Sequence, residues 1–144
     1  MLSRQDAAPA ITKHILKLAR HIDSASSPEY VRVESGEDCL PNRCFDNVTQ
    51  VVAKHGGRTQ HGWVMRQDAY VAEGAFHAVW RRADGSLIDV TPRADNQTQI
   101  IFLPDSKRVW EGEAIEPQRL QLHETPCYCG SGVPFRICHG LADD

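Results

Sequence analysis

Residues 75–92, AFHAVWRRADGSLIDVTP, read as two extended runs joined by a glycine turn, and the register across that turn decides which side chains share a face. A two-residue loop of Asp84 and Gly85 pairs Ala83 with Ser86, sets Asp89 opposite Trp80 and mixes polar with apolar residues on both faces. A three-residue loop with Gly85 left-handed in a bulge pairs Arg82 with Ser86, so that Val79 faces Asp89 and Trp80 faces Ile88. In that register Phe76, Ala78, Trp80, Ile88 and Val90 form one apolar face, and His77, Val79, Asp89 and Thr91 form the other. The binary pattern therefore selects the second register. It makes His77 and Asp89 diagonal neighbours, roughly 5 to 8 Å apart at Cβ.

Upstream of this hairpin the periodicity is helical. Ile11, Ile15, Leu18, Ala19 and Ile22 recur at helical spacing within residues 8–25, which predicts an amphipathic helix lying on a core. Pro28 stops it, Tyr30, Val31 and Val33 predict a short strand, and Ser35 to Pro41 form a loop. A second helix is expected from an Asn42 cap through Phe45, Val48, Val51 and Val52 to the Gly56-Gly57 pair, which places Cys44 in its first turn. Further extended runs are expected at Trp63 to Met65, Ala75 to Arg82, Ser86 to Thr91 and Ile100 to Leu103, with another possible around Val109 and Trp110. Pro117 to Glu124 reads as a linker or short helix. The fold class is α+β, with helices first and an antiparallel sheet after them.

The chain has 144 residues, 41% hydrophobic and 24% charged, the balance of a globular protein with room for one core and a small appendage. A net charge of -3 with scattered basic residues gives no pull toward nucleic acid, which is not the expected partner. No apolar run approaches the length of a signal segment or membrane span, so a cytoplasmic location without membrane contact is expected. Five cysteines, three of them clustered near the end with a histidine, suit metal ligation in a reducing compartment better than a disulfide framework.

That cluster lies in CYCGSGVPFRICHG, residues 127–140. Cys127 and Cys129 stand two apart; Cys138 and His139 are neighbours after an eight-residue spacer. Three thiolates and an imidazole make a closed structural zinc set, with ligands at about 2.0 to 2.3 Å. Gly130-Ser131-Gly132 and Pro134 supply the turn that brings the ends together. The segment has few apolar residues of its own, so Zn2+ is expected to furnish most of its folding free energy.

The spacing C-x-C-G-S-G followed by C-H closely resembles the SEC-C motif, a zinc-binding module found at the ends of many bacterial proteins. The spacer departs from the usual lysine-rich pattern, with Val133, Pro134 and Phe135 and only Arg136 basic. The resemblance implies a bacterial protein with a zinc-stabilised docking module at 123–144, and a protein is the partner expected to dock through it.

One further constellation carries chemistry. Cys44 begins a helix, where unpaired backbone N–H groups and the helix dipole favour a thiolate. His77 serves as its base, and Asp89 orients the histidine. Helix-borne Cys, strand-borne His and next-strand Asp resemble the transglutaminase-like branch of the papain-like cysteine enzymes over residues 40–92. The resemblance implies Cys44 as nucleophile, His77 as base, Asp89 as orienter, Asn42 or Asn47 as an oxyanion donor, and acyl transfer or amide hydrolysis through a thioester. It also implies a papain-like or transglutaminase-like domain over residues 1–122.

Each residue has a plainer reading as well. Cys44 fits a buried core thiol, His77 a hydrogen-bonded strand residue and Asp89 a ligand of turn amides. On those readings the chain is a non-enzymatic binding protein with a vestigial cleft, docking to a protein or ribonucleoprotein through its zinc module. His55, His61 and His123 read as surface residues, and Cys39 as a loop cysteine without an activating group.

Overall fold

The computed structural model describes residues 10–68, 70–93 and 97–122. Two helices, α1 (Lys13–Ile22) and α2 (Cys44–His55), pack on six strands: β1 (Glu29–Val33), β2 (Arg58–Gln67), β3 (Val71–Arg81), β4 (Leu87–Asp89), β5 (Gln99–Pro104) and β6 (Gln118–Gln121).

Helix α1 is shorter than residues 8–25 because Thr12 caps it, its hydroxyl accepting from the Ile15 N–H at 3.2 Å. Helix α2 begins after the expected Asn42 cap. Asn42 takes a left-handed φ of 61°, which asparagine tolerates but an N-cap does not use, so Arg43 becomes the cap and Cys44 the first helical residue. Gly56 at φ 80° ends the helix.

The strands run in the order β2-β5-β1-β4-β3-β6, and β2 also pairs with β3, which closes the first five into a small barrel. This corrects the expectation of an all-antiparallel sheet: β1 and β4 are parallel, with Arg32 beside Ile88 and Val33 beside Asp89. Closure follows from β2 and β3, two long strands paired from Arg58 with Arg81 to Gln67 with Ala72, because β5 takes the free edge of β2 and β4 that of β3. Gly62 sits where β2 is squeezed; a Cβ there would lie 2.3 Å from the Leu103 carbonyl and 2.5 Å from the Phe102 ring.

Among the described residues three apolar clusters form the core. Val31, Val79, Ile100 and Phe102, with Val33, Val64 and Leu87, come from all five barrel strands and fill the interior. Ile15, Leu18 and Ala19 of α1 pack on Trp63, Met65, Ile101 and Leu103. Val48 and Val51 of α2 pack on Ala78, Ile88 and Val90. Strand β5 alternates between two buried faces, Ile100 and Phe102 inward and Ile101 and Leu103 toward α1, which explains its continuous apolar run.

The β3–β4 hairpin adopts the register that the binary pattern selected. Trp80 pairs with Ile88 and Arg81 with Leu87; the Arg82 N–H bonds the Ser86 carbonyl at 2.8 Å, and Gly85 has φ 90°. Two expectations fail. Val109 and Trp110 lie outside any strand, and part of the expected linker is β6, which pairs antiparallel with Val71 to Gly74 of β3. An Arg119 to Glu73 ion pair of 2.6 Å reinforces that polar strand. The proposed module boundary at 123 and the four zinc-ligand candidates Cys127, Cys129, Cys138 and His139 lie outside the described residues.

Candidate active site

Strand β3 gives one edge wholly to β2 and shares the other between β6 at Val71 to Gly74 and β4 at Trp80 and Arg81. Among the described residues no strand pairs with that second edge between Ala75 and Val79, and His77 is at the centre of this opening. The N-terminal end of α2 brings Cys44 to the same place, because the helix packs its Val48 and Val51 on Ala78 and Ile88.

The His77 Nε2 lies 2.9 Å from the Asp89 Oδ1, and Cys44 lines the same cleft as His77, near enough to act electrostatically on its ring. Burial opposes a charge on this ring, whose side chain is 12% exposed, yet hydrogen bonds and negative charge from Asp89 and Cys44 together prevail and raise its pKa to about 9. Asp89 is completely buried. Its Oδ1 also accepts from the Thr91 N–H at 3.3 Å, and the Arg93 guanidinium stands 3.7 Å from its Oδ2. Asp89 is therefore both a partner of the imidazole and a ligand of a turn amide.

Asn47, one turn along α2 from Cys44, is buried, and its amide is fully used. Its Oδ1 accepts from the Leu40 N–H at 3.0 Å; its Nδ2 donates to the Leu40 carbonyl at 2.8 Å and to the Thr91 hydroxyl at 3.0 Å. This corrects the expectation that Asn47 serves as an oxyanion donor, since no N–H remains to point at substrate. It ties the loop before Cys44 to the strand end after Asp89. Asn42 is exposed and remains available.

Cys44 and His77 line an open cleft of about 520 Å³ with Pro41, Asn42, Phe45 and Arg93 among its walls. Cys39 lies elsewhere, packed among Val48, Val51 and Val90, where burial pushes its thiol pKa up. His55 is exposed as expected, and His61 is half-buried: it stacks against Phe45 and Phe76, and burial lowers its pKa. Sequence reasoning missed Arg93 and the Asn47 to Thr91 link. The signal for Arg93 was its place four residues beyond Asp89, across the Thr91-Pro92 turn.

Among the described residues no group of three or more His, Cys, Asp or Glu side chains forms a metal site, and no helix is long and apolar enough to cross a membrane. Residues 125–141 match the model of the SEC-C motif. The match takes in all four candidate ligands. No curated protein and no solved structure matched the chain.

Proposed function

We propose that this protein is a cysteine-dependent acyl-transfer or amide-hydrolysing enzyme of transglutaminase-like type, with a zinc-stabilised SEC-C module at its end. The observation that carries the reading is the His77 imidazole, bonded to the Asp89 carboxylate and lining the same open cleft as Cys44.

With the His77 pKa raised, the Cys44 proton already rests on the imidazole, and Sγ attacks the substrate carbonyl carbon as the thiolate. An S–C bond forms and the carbonyl π pair moves onto oxygen. The first backbone N–H groups of α2 have no intrahelical acceptor, and Arg43 makes no side-chain cap bond, so they are available to the oxyanion, with Asn42 also in the cleft wall. His77 then gives its proton to the leaving amine, the C–N bond breaks, and a thioester remains on Cys44. Water attacks the thioester with His77 taking its proton, which releases a carboxylic acid; an amine in place of water gives transfer. Asp89 holds the ring in position and supports its positive charge throughout. Arg93 and Thr91 hold Asp89.

The donor set Cys127, Cys129, Cys138 and His139 fits a structural zinc site of three thiolates and one imidazole. Zinc there stabilises the module's fold and takes no part in the acyl chemistry, and the module docks to a protein partner.

The test is the rate of alkylation by iodoacetamide on zinc-loaded protein, with the modified residue located by mass spectrometry. Cys44 is expected to react faster than Cys39, by about tenfold or more, and His77→Ala to slow it. Equal rates at Cys44 and Cys39, or indifference to His77→Ala, overturn the enzymatic reading in favour of a non-catalytic docking protein.

A further inference from the structure

The cleft beside Cys44 has a feature that the acyl chemistry does not require: a wall of stacked aromatic rings. Phe45 lies against Trp110 with ring centroids 4.3 Å apart and planes 6° from parallel. Phe76 stands 6.1 Å from Phe45 at 27° and is braced from behind by Trp63, edge-on at 5.0 Å. His61 joins the group at 6.0 Å from Phe45 and 5.8 Å from Phe76. Burial lowers its pKa, so at neutral pH it contributes an uncharged flat ring.

Trp63 is fully buried, whereas Phe45, His61, Phe76 and Trp110 are half-buried. Phe45 and Phe76 line the cleft together with Cys44 and His77. Phe45 and Trp110 line a second open depression of about 420 Å³, which shares Pro41, Asn42 and Phe45 with the first. Phe45 directly follows Cys44, so the aromatic surface starts beside the reacting sulfur and continues away from it. A cleft of about 520 Å³ is in the ordinary range for a small-molecule site. An acetyl group would leave most of the wall in water. A flat ring would cover it and add the offset-stacked and edge-to-face contacts that aromatic pairs prefer.

We propose that this wall is a substrate subsite, and that the enzyme acts on acyl compounds carrying an aromatic ring next to the scissile carbonyl. The inference rests on Cys44 as the nucleophile. The ring of the substrate lies against Phe45 and Phe76 while the carbonyl carbon reaches Sγ, and Trp110 supports Phe45 from its far side.

The experiment compares alkylation of Cys44 in the full-length, zinc-loaded protein by N-methyl-, N-cyclohexylmethyl- and N-benzyl-iodoacetamide. In all three an S–C bond forms as iodide leaves, and rates normalised to glutathione report recognition rather than intrinsic reactivity. The benzyl reagent is expected to saturate, to exceed the methyl reagent by about tenfold or more, and to exceed the cyclohexylmethyl reagent by about two- to tenfold. Trp110→Ala and Phe76→Leu should each bring the benzyl-to-methyl ratio toward one; Trp110 lies outside every helix and strand, so its truncation is the less disruptive of the two. Equal normalised rates for all three reagents at a reactive, His77-dependent Cys44 overturn the subsite and leave the nucleophile standing. A ratio unchanged in both variants also overturns it. A Cys44 no faster than Cys39 overturns the nucleophile and the subsite together.

Discussion

Replacing His77 with glutamine should remove a pH dependence of stability whose size follows from the site's electrostatics. The imidazole has an ordinary pKa of 6.5, and its bond to Asp89 together with its interaction with Cys44 raises it to about 9 in the folded chain, against the opposing effect of burial. Below pH 6.5 both the folded and unfolded chains hold the proton, and the imidazolium contributes its full stabilisation. As pH rises from 6.5 to about 9 the unfolded chain releases the proton while the folded chain keeps it, so the contribution falls, and beyond that it is gone. At about 1.4 kcal/mol for each tenfold in proton affinity, the loss is about 3 kcal/mol. With a urea slope of about 1–3 kcal/mol/M for a small domain, the unfolding midpoint drops by about 1 M or more between pH 6 and pH 9.5. The assay is urea unfolding of wild type and His77→Gln across that range with zinc held constant. The buried Cys39 thiol, whose pKa is also raised, adds a decline near the alkaline end, but it does so in both proteins and cancels in the difference. Identical pH profiles for the two proteins would refute the account of His77 as a stabilised imidazolium.

Two other measurements probe the surroundings. Asn47→Ala should destabilise the protein by about 2–3 kcal/mol, because it leaves the Leu40 backbone groups and the Thr91 hydroxyl without their partner; denaturant unfolding reads this, and a change below about 0.5 kcal/mol would contradict it. Freshly purified protein should hold one zinc per chain by elemental analysis, and Cys129→Ser should lose it. Removing the metal by chelation should leave the thermal transition of the barrel in place, since its three apolar clusters are built from residues 11–122 alone. A wild type free of zinc, or a single collapse of all structure with chelator, would oppose the separate-module reading.

Local pattern determined much of this protein. The two helices are legible from apolar spacing, the hairpin register from the alternation in residues 75–92, and the meeting of His77 with Asp89 from that register. The four metal-ligand candidates stand out by residue type and spacing alone, and the terminal segment matches the SEC-C motif. These features depend on neighbours a few residues apart, where periodicity and turn chemistry act directly.

Tertiary structure decided the rest. The sheet closes into a barrel because β2 and β3 are long enough to pair fully and still offer outer edges to β5 and β4, and no local signal distinguishes that from an open sheet. Strand β6 is polar and four residues long, and it exists through its pairing with a distant edge, so its own sequence reads as linker. Asn47 looked free to serve substrate until Leu40 and Thr91, brought to it by the loop and by β4, took every donor and acceptor of its amide. The placement of Cys44 against His77 has the same cause: α2 docks on Ala78 and Ile88, and burial of its apolar face, not any property of the cysteine, sets the thiol beside the imidazole.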